Sequence, residues 1–209
     1  MVLSRNELYN KALWTEFQQR RVEKTYLAIV RGRVPFEETA VDMPITYDTA
    51  SPIRVKMKAG GLGTGQGQGP ARTRFRCLRR WGDLSLVECR PETGRKHQLR
   101  VHLDFLGHPV LGDKLYGQDP EVFLSLLSEG DPEKVADLTD LQQRLGHSRH
   151  CLHAHELNFE LDLEPSTGKK VRGKSSKGRS LDRVAFKFTA PLSLDMQQLL
   201  GRDHWADPN

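Results

Sequence analysis

Cysteine is scarce in this 209-residue sequence. Cys77, Cys89 and Cys151 stand singly and are odd in number, which argues against a disulfide framework and for a reducing compartment. No apolar run is long enough for a membrane-spanning helix. The opening MVLSRNELYNKAL has neither the apolar stretch nor the small-residue cleavage site of a secretory leader, so a cytoplasmic protein is expected. Internal repeats are absent. Acidic charge is in the minority: the net charge is +5 and the pI about 9.2, which suits a polyanionic partner without naming one.

What is there reads as alternating helix and strand signals without regular βαβ order. The expectation is an α+β fold, a mixed, mainly antiparallel sheet with flanking helices, in a single domain over 1–209. Ser4-Arg5-Asn6-Glu7 is a capping box for a helix to about Arg20, with Leu8, Ala12 and Phe17 on its apolar side. KTYLAIVRG, 24–32, is a continuous apolar run of the kind covered on both faces. Pro44 and Pro52 break 39–58 into short extended pieces. The Gly-rich segment 59–70 ends in Pro70 and is followed by a strand rather than by a helix, so a flexible loop is expected in place of a phosphate cradle. Residues 73–90 alternate around Trp81-Gly82-Asp83 and predict a hairpin. A helical insertion is expected over 118–148, strands over 151–161 and 185–191, and a mobile basic loop over 166–182.

The stretch RPETGRKHQLRVH, 90–102, predicts a helix from Arg95 to Leu106, closed by Gly107. That places Arg95 and Lys96 in its first turn, where cations are disfavoured by roughly 0.3–1 kcal/mol. Gly94 and free N–H groups at the helix start favour an anion there, so the site is expected to meet a carboxylate, a phosphate, or both. His147, His150, Cys151, His153 and His155 crowd one region, but with one nearby thiol and no paired-cysteine spacing no metal is expected.

ETGRKHQLRVH followed by LGHPVLGDKLYG resembles the C-terminal half of the RluA family of RNA pseudouridine synthases. KTYLAIVRG resembles the family's Lys-x-Tyr strand, and RHCLHAHELNF, 149–159, its later Arg-x-x-Leu-His-Ala strand; the three blocks occur in the family's order. The resemblance implies isomerisation of uridine in ribosomal or transfer RNA, with no metal or organic cofactor and no membrane. It implies that Arg95 holds a nucleophilic aspartate in an ion pair, that Tyr26 lines the pocket as stacking partner and candidate base, and that Leu99 packs beneath. Lys24, Lys96, Gln98, Leu99 and Arg100 are then expected at the substrate or RNA. Lys169, Lys170 and Arg172 either grip RNA phosphates or belong to a solvated loop.

The family's His-Arg-Leu-Asp motif is not in the sequence. MVLSRN resembles the strand that follows it, and Ser180-Leu181-Asp182-Arg183 echoes it on the wrong side of every other block. These residues alone are therefore expected to be inactive, with an exposed sheet edge; the alternative is a non-catalytic RNA-binding remnant of the same fold. Lys96 stands where the family commonly has threonine.

Overall fold

The computed structural model describes residues 7–61, 68–127, 143–163 and 182–201. In chain order the elements are α1 (Glu7–Gln18), β1 (Glu23–Arg31), β2 (Glu38–Asp42), β3 (Ile45–Tyr47), β4 (Met57–Ala59), β5 (Arg72–Trp81), β6 (Leu84–Pro91), α2 (Gln98–Phe105), α3 (Pro120–Leu127), β7 (Leu152–Leu163), β8 (Asp182–Thr189) and α4 (Leu194–Leu200). The class is α+β. The pairs β1–β6, β2–β5, β3–β4, β5–β6 and β7–β8 all run antiparallel. The chain divides into two compact units: Thr25–His155 with Ala190–Asn209, and Met1–Lys24 with Glu156–Thr189.

In the larger unit β2, β5, β6 and β1 lie side by side. The β5–β6 hairpin forms because Thr73, Phe75 and Cys77 are buried while Arg72, Arg74 and Arg76 are exposed, the period-2 pattern of a half-covered strand. Leu27 through Val30 on β1 are fully buried, as a continuous apolar run requires. Each of Leu27, Ile29 and Val30 contributes roughly 1.5–3 kcal/mol by leaving water. They join Phe75, Leu86, Val87, Leu99 and Leu103 in the main core. A second cluster gathers Ile45, Ile53, Met57, Val101, Leu115 and Tyr116 around the β3–β4 ribbon, so α2 has apolar residues in both. Ile45 also bridges to Gly69; residues 62–67 of the Gly-rich segment lie outside the described residues.

In the smaller unit the outer part of β7 pairs with β8, from Glu156 opposite Thr189 to Leu163 opposite Asp182. Val22, Phe159 and Leu161 form its core, with Ala12, Leu13 and Phe186 packed on it. Phe17, expected on the apolar side of α1, is 42% exposed; the stripe runs through Ala12 and Leu13 instead.

Two other expectations change. Helix α2 starts at Gln98, not Arg95, because His97 is left-handed at φ 56 and the preceding residues run as a loop. Of the insertion over 118–148, α3 is described and 128–142 lies outside the described residues, as does 164–181 with the basic loop.

Candidate active site

The register of β1, β6 and β5 fixes one face of the sheet. Tyr26 lies opposite Cys89, and Cys89 opposite Phe75. Side chains two apart on a strand share a face, so Thr73 is on the face of Tyr26 as well. Beyond Pro91, at the end of β6, the chain runs through Glu92, Thr93, Gly94, Arg95, Lys96 and His97 into α2.

A buried polar chain ties that loop to the sheet. The Thr93 hydroxyl donates to Gln98 Oε1 (2.8 Å), which also accepts the Arg95 backbone N–H (2.9 Å). Gln98 Nε2 donates to the Arg72 carbonyl (2.9 Å) and to Thr73 Oγ1 (3.0 Å). His102 Nε2 is 3.1 Å from the Met43 carbonyl, which can only accept, so that nitrogen carries the proton of the neutral ring. His102 Nδ1 is therefore the acceptor, and the Thr73 hydroxyl donates to it at 2.9 Å. Burial, partly opposed by the bond to Met43, pulls the His102 pKa below its ordinary value and so favours that neutral ring. Every donor along this chain finds an acceptor in a single direction. A satisfied buried network is rigid, and this one holds the backbone of Arg95.

A second assembly fixes the start of α2. Arg100 grips Asp113 through two bonds of 2.6 and 2.7 Å, and the carboxylate is fully buried. Asp113 Oδ1 also accepts the N–H groups of Leu115 (2.9 Å) and Tyr116 (3.1 Å). The Arg100 guanidinium lies 4.8 Å over the Tyr116 ring. The Tyr116 hydroxyl accepts the Met57 N–H and is hydrogen-bonded to His97 Nδ1 at 2.9 Å, which holds His97 in its left-handed turn. Burial first, then Arg100 and Lys96, bring the His97 pKa down to about 4, so its ring is neutral at neutral pH.

Arg95 itself is half-buried. Its Nε donates to the Pro70 carbonyl at 3.0 Å, and among the described residues its terminal nitrogens have no partner. Lys96 Nζ sits 5.3 Å over the Tyr47 ring. Tyr26 is half-buried against the main core, and burial raises its phenol pKa. Leu99 is buried in that core. Lys24 is half-buried, its pKa lowered by burial and then by Arg20.

Gln98 and Arg100, both expected at the RNA, are instead engaged within the protein, Gln98 with Thr73 and Thr93 and Arg100 with Asp113. A Cβ added at Gly94 would meet open space, so no protein neighbour demands a glycine there. Asp182 is the exposed first residue of β8, and Lys169, Lys170 and Arg172 lie outside the described residues. His153 and His155 both bond the Ala190 carbonyl, and among the described residues no three His, Cys, Asp or Glu side chains gather as metal ligands.

Sequence reasoning missed Thr73, Thr93, Asp113 and Tyr116 as parts of the site. Only the GDKLYG turn, read as a connector, offered any signal for the last two.

A model of the RNA pseudouridylate synthase family matches residues 1–105. The chain is 41% identical over 200 residues to an uncharacterised RNA pseudouridine synthase of Chloroflexus aurantiacus, covering 96% of this chain and 48% of that protein. It is 30% identical to RNA pseudouridine synthase 2, chloroplastic, of Arabidopsis thaliana, covering 96% and 43%. It is 31% identical to ribosomal large subunit pseudouridine synthase D of Zymomonas mobilis, covering 82% and 46%. The chain thus spans about half the length of these curated relatives. Human RNA pseudouridylate synthase domain containing 4 shares its fold at TM-score 0.64 and 23% identity, over 97% of this chain and 70% of that one. With the matched model taking in both the Tyr26 strand and the Arg95 loop, the chain belongs to the RluA family of RNA pseudouridine synthases.

Proposed function

We propose that this chain carries the pocket side of an RNA pseudouridine synthase acting on ribosomal or transfer RNA. One observation carries the reading: Arg95 is half-buried and tethered at its backbone and Nε, while its terminal fork is without a partner among the described residues. A guanidinium tethered in that way is suited to a bidentate carboxylate pair. The carboxylate would be the nucleophilic aspartate, supplied from outside these residues, since they contain no His-Arg-Leu-Asp run. The reaction breaks the glycosidic bond of a flipped-out uridine, turns the base and rejoins it through carbon, so nothing is gained or lost overall. Flipping costs a few kcal/mol, and stacking on Tyr26 would return about 1–3 kcal/mol. The raised pKa of the phenol favours stacking over a base role near neutral pH.

The test is pseudouridine detection by mass spectrometry in transcripts incubated with two proteins. One is the 209-residue chain; the other is the same chain preceded by the upstream reading frame. The chain alone is expected to bind RNA at low salt and to form no pseudouridine. The extended protein is expected to form it, and Arg95→Ala to lower its turnover by about a hundredfold or more, the scale for losing one preorganised electrostatic group. Absence of RNA binding even at low salt would overturn the reading in favour of a basic structural domain. A second reading, a non-catalytic RNA-binding remnant, rests on the missing aspartate motif; an upstream frame without that motif would favour it.

A further inference from the structure

The Arg95 loop meets the β3–β4 ribbon through three consecutive residues. Arg95 Nε donates to the Pro70 carbonyl at 3.0 Å, and Gly69, the residue before, exchanges backbone bonds of 3.0 and 2.9 Å with Ile45 of β3. Lys96 Nζ lies 5.3 Å from the centre of the Tyr47 ring, two residues along the same strand. His97 Nδ1 is 2.9 Å from the Tyr116 hydroxyl, which accepts the N–H of Met57, and Met57 stands directly opposite Tyr47 on β4. Tyr47 is thereby held about 7 Å along β3 from the residue that pairs beside the Arg95 anchor. Its ring is nonetheless open. Ile45, on the same face of β3, and Met57 are buried, whereas Tyr47 is 37% exposed. In the larger unit only Phe105 is a comparably exposed aromatic among the described residues, and no cation lies over it. A cation over an exposed ring stabilises a free protein only slightly. A base laid on a ring already held in place gains stacking with little further ordering of the protein, and aromatic rings set among cations are how single-stranded nucleic acid is gripped.

We propose that Tyr47 is a second stacking platform, on which an unpaired base next to the target nucleotide lies, with Lys96 at the phosphate of that nucleotide. The proposal rests on the synthase reading and adds to it how the strand beside the flipped uridine is held. The ring offers a π face that suits any base, and Lys96 a compact charge on a flexible stem. Asp48, the neighbouring carboxylate, is engaged with Lys58 at 3.7 Å. The subsite takes single-stranded RNA and does not read its sequence.

The experiment is fluorescence-anisotropy titration of two labelled probes of equal length, decauridylate and a ribose-phosphate decamer without bases. Both carry the same phosphates, so the difference between them reads contacts to bases. Tyr47→Leu should bind decauridylate about tenfold more weakly than the wild-type chain, the scale of one lost stacked base, and bind the base-free probe equally well. Tyr47→Phe, which keeps the ring, and the control Phe105→Leu should match the wild type on both probes. Lys96→Gln should weaken both and lower the slope of log K against log salt by about 0.7. Undiminished decauridylate binding by Tyr47→Leu would overturn the platform and leave the synthase reading intact. Equal loss on both probes would overturn it as well, since a ring that merely holds the ribbon makes no distinction between them. A salt slope unchanged in Lys96→Gln would remove its phosphate contact. Wild-type protein that binds neither probe at low salt would overturn the platform and the underlying reading together. A second arm keeps the native side chain. The sequence has four tyrosines, and the resonances missing from Tyr47→Phe identify the Tyr47 ring by NMR. In the wild-type chain those resonances should move upfield on addition of decauridylate and stay in place with the base-free probe; the same response to both would overturn stacking.

Discussion

Gln98 shows how much one side chain settles. Its oxygen accepts from Thr93 and Arg95, and its nitrogen donates to the Arg72 carbonyl and Thr73, so all four bonds serve the loop that presents the guanidinium. Replacing it with leucine of similar volume strands several buried polar groups at once. Each buried group left unsatisfied costs about 1–3 kcal/mol, though the loop can shift and let water reach some of them. Gln98→Leu should therefore lower the unfolding free energy by about 3 kcal/mol, measured by urea denaturation. Lys58→Gln, which removes a pair with Asp48 at 3.7 Å on a half-exposed side chain, should stay within about 0.5 kcal/mol. Equal losses for the two would mean that the buried chain does not hold the loop.

At the scale of elements, what fixes α2 is a partner well beyond it in sequence. Asp113 and Tyr116 come from the connector after the helix, yet they clamp Arg100 and seat His97 at the helix start. Breaking a buried pair by removing one member typically costs 3–5 kcal/mol, because the other charge is left without compensation. Asp113→Ala should fall in that range of about 3–5 kcal/mol. The double variant Arg100→Met/Asp113→Ala should recover only part of the loss, since the N–H groups of Leu115 and Tyr116 lose their acceptor either way. A double-mutant cycle in denaturant measures this directly; full recovery would contradict the capping role of Asp113. The same dependence explains what the sequence disclosed. The β5–β6 hairpin was readable because Thr73, Phe75 and Cys77 alternate with arginines, and β1 because its apolar run is unbroken. The true start of α2 was not, because helix-start rules look for a Ser, Thr, Asp or Asn cap, whereas this one is a left-handed histidine set by a tyrosine nineteen residues on. The expectation that Arg95 and Tyr26 share one site came from family resemblance; no local periodicity contains it.

For the whole molecule, these buried contacts translate into a dependence on pH. His97, His102 and His150 all have pKa values lowered in the folded chain, with burial the first cause each time, and His97 reaches about 4. In the unfolded chain the same rings titrate near 6.5. As pH falls through about 6.5 the unfolded state takes up protons that the folded state refuses, so the slope of unfolding free energy against pH is positive there. The associated stability is fully present above that pH and is lost on acidification, down to about 4 where His97 also protonates in the fold. Asp104 works the other way: burial raises its carboxyl pKa, so protonating it eases the lower part of the window. Asp195, held low chiefly by its bond to Arg149, stays charged throughout and gives up stability only at still lower pH. The midpoint of thermal unfolding should therefore fall steadily from pH 7 to pH 5. His102→Gln should flatten that dependence, even though it starts from a less stable protein at pH 7, because one of the rings that refuses protons is gone. A midpoint unchanged between pH 7 and pH 5 would mean that these rings are charged in the folded state. That charge would deny His102 Nδ1 the lone pair to which Thr73 donates, and the directional chain holding Arg95 would lose its first acceptor.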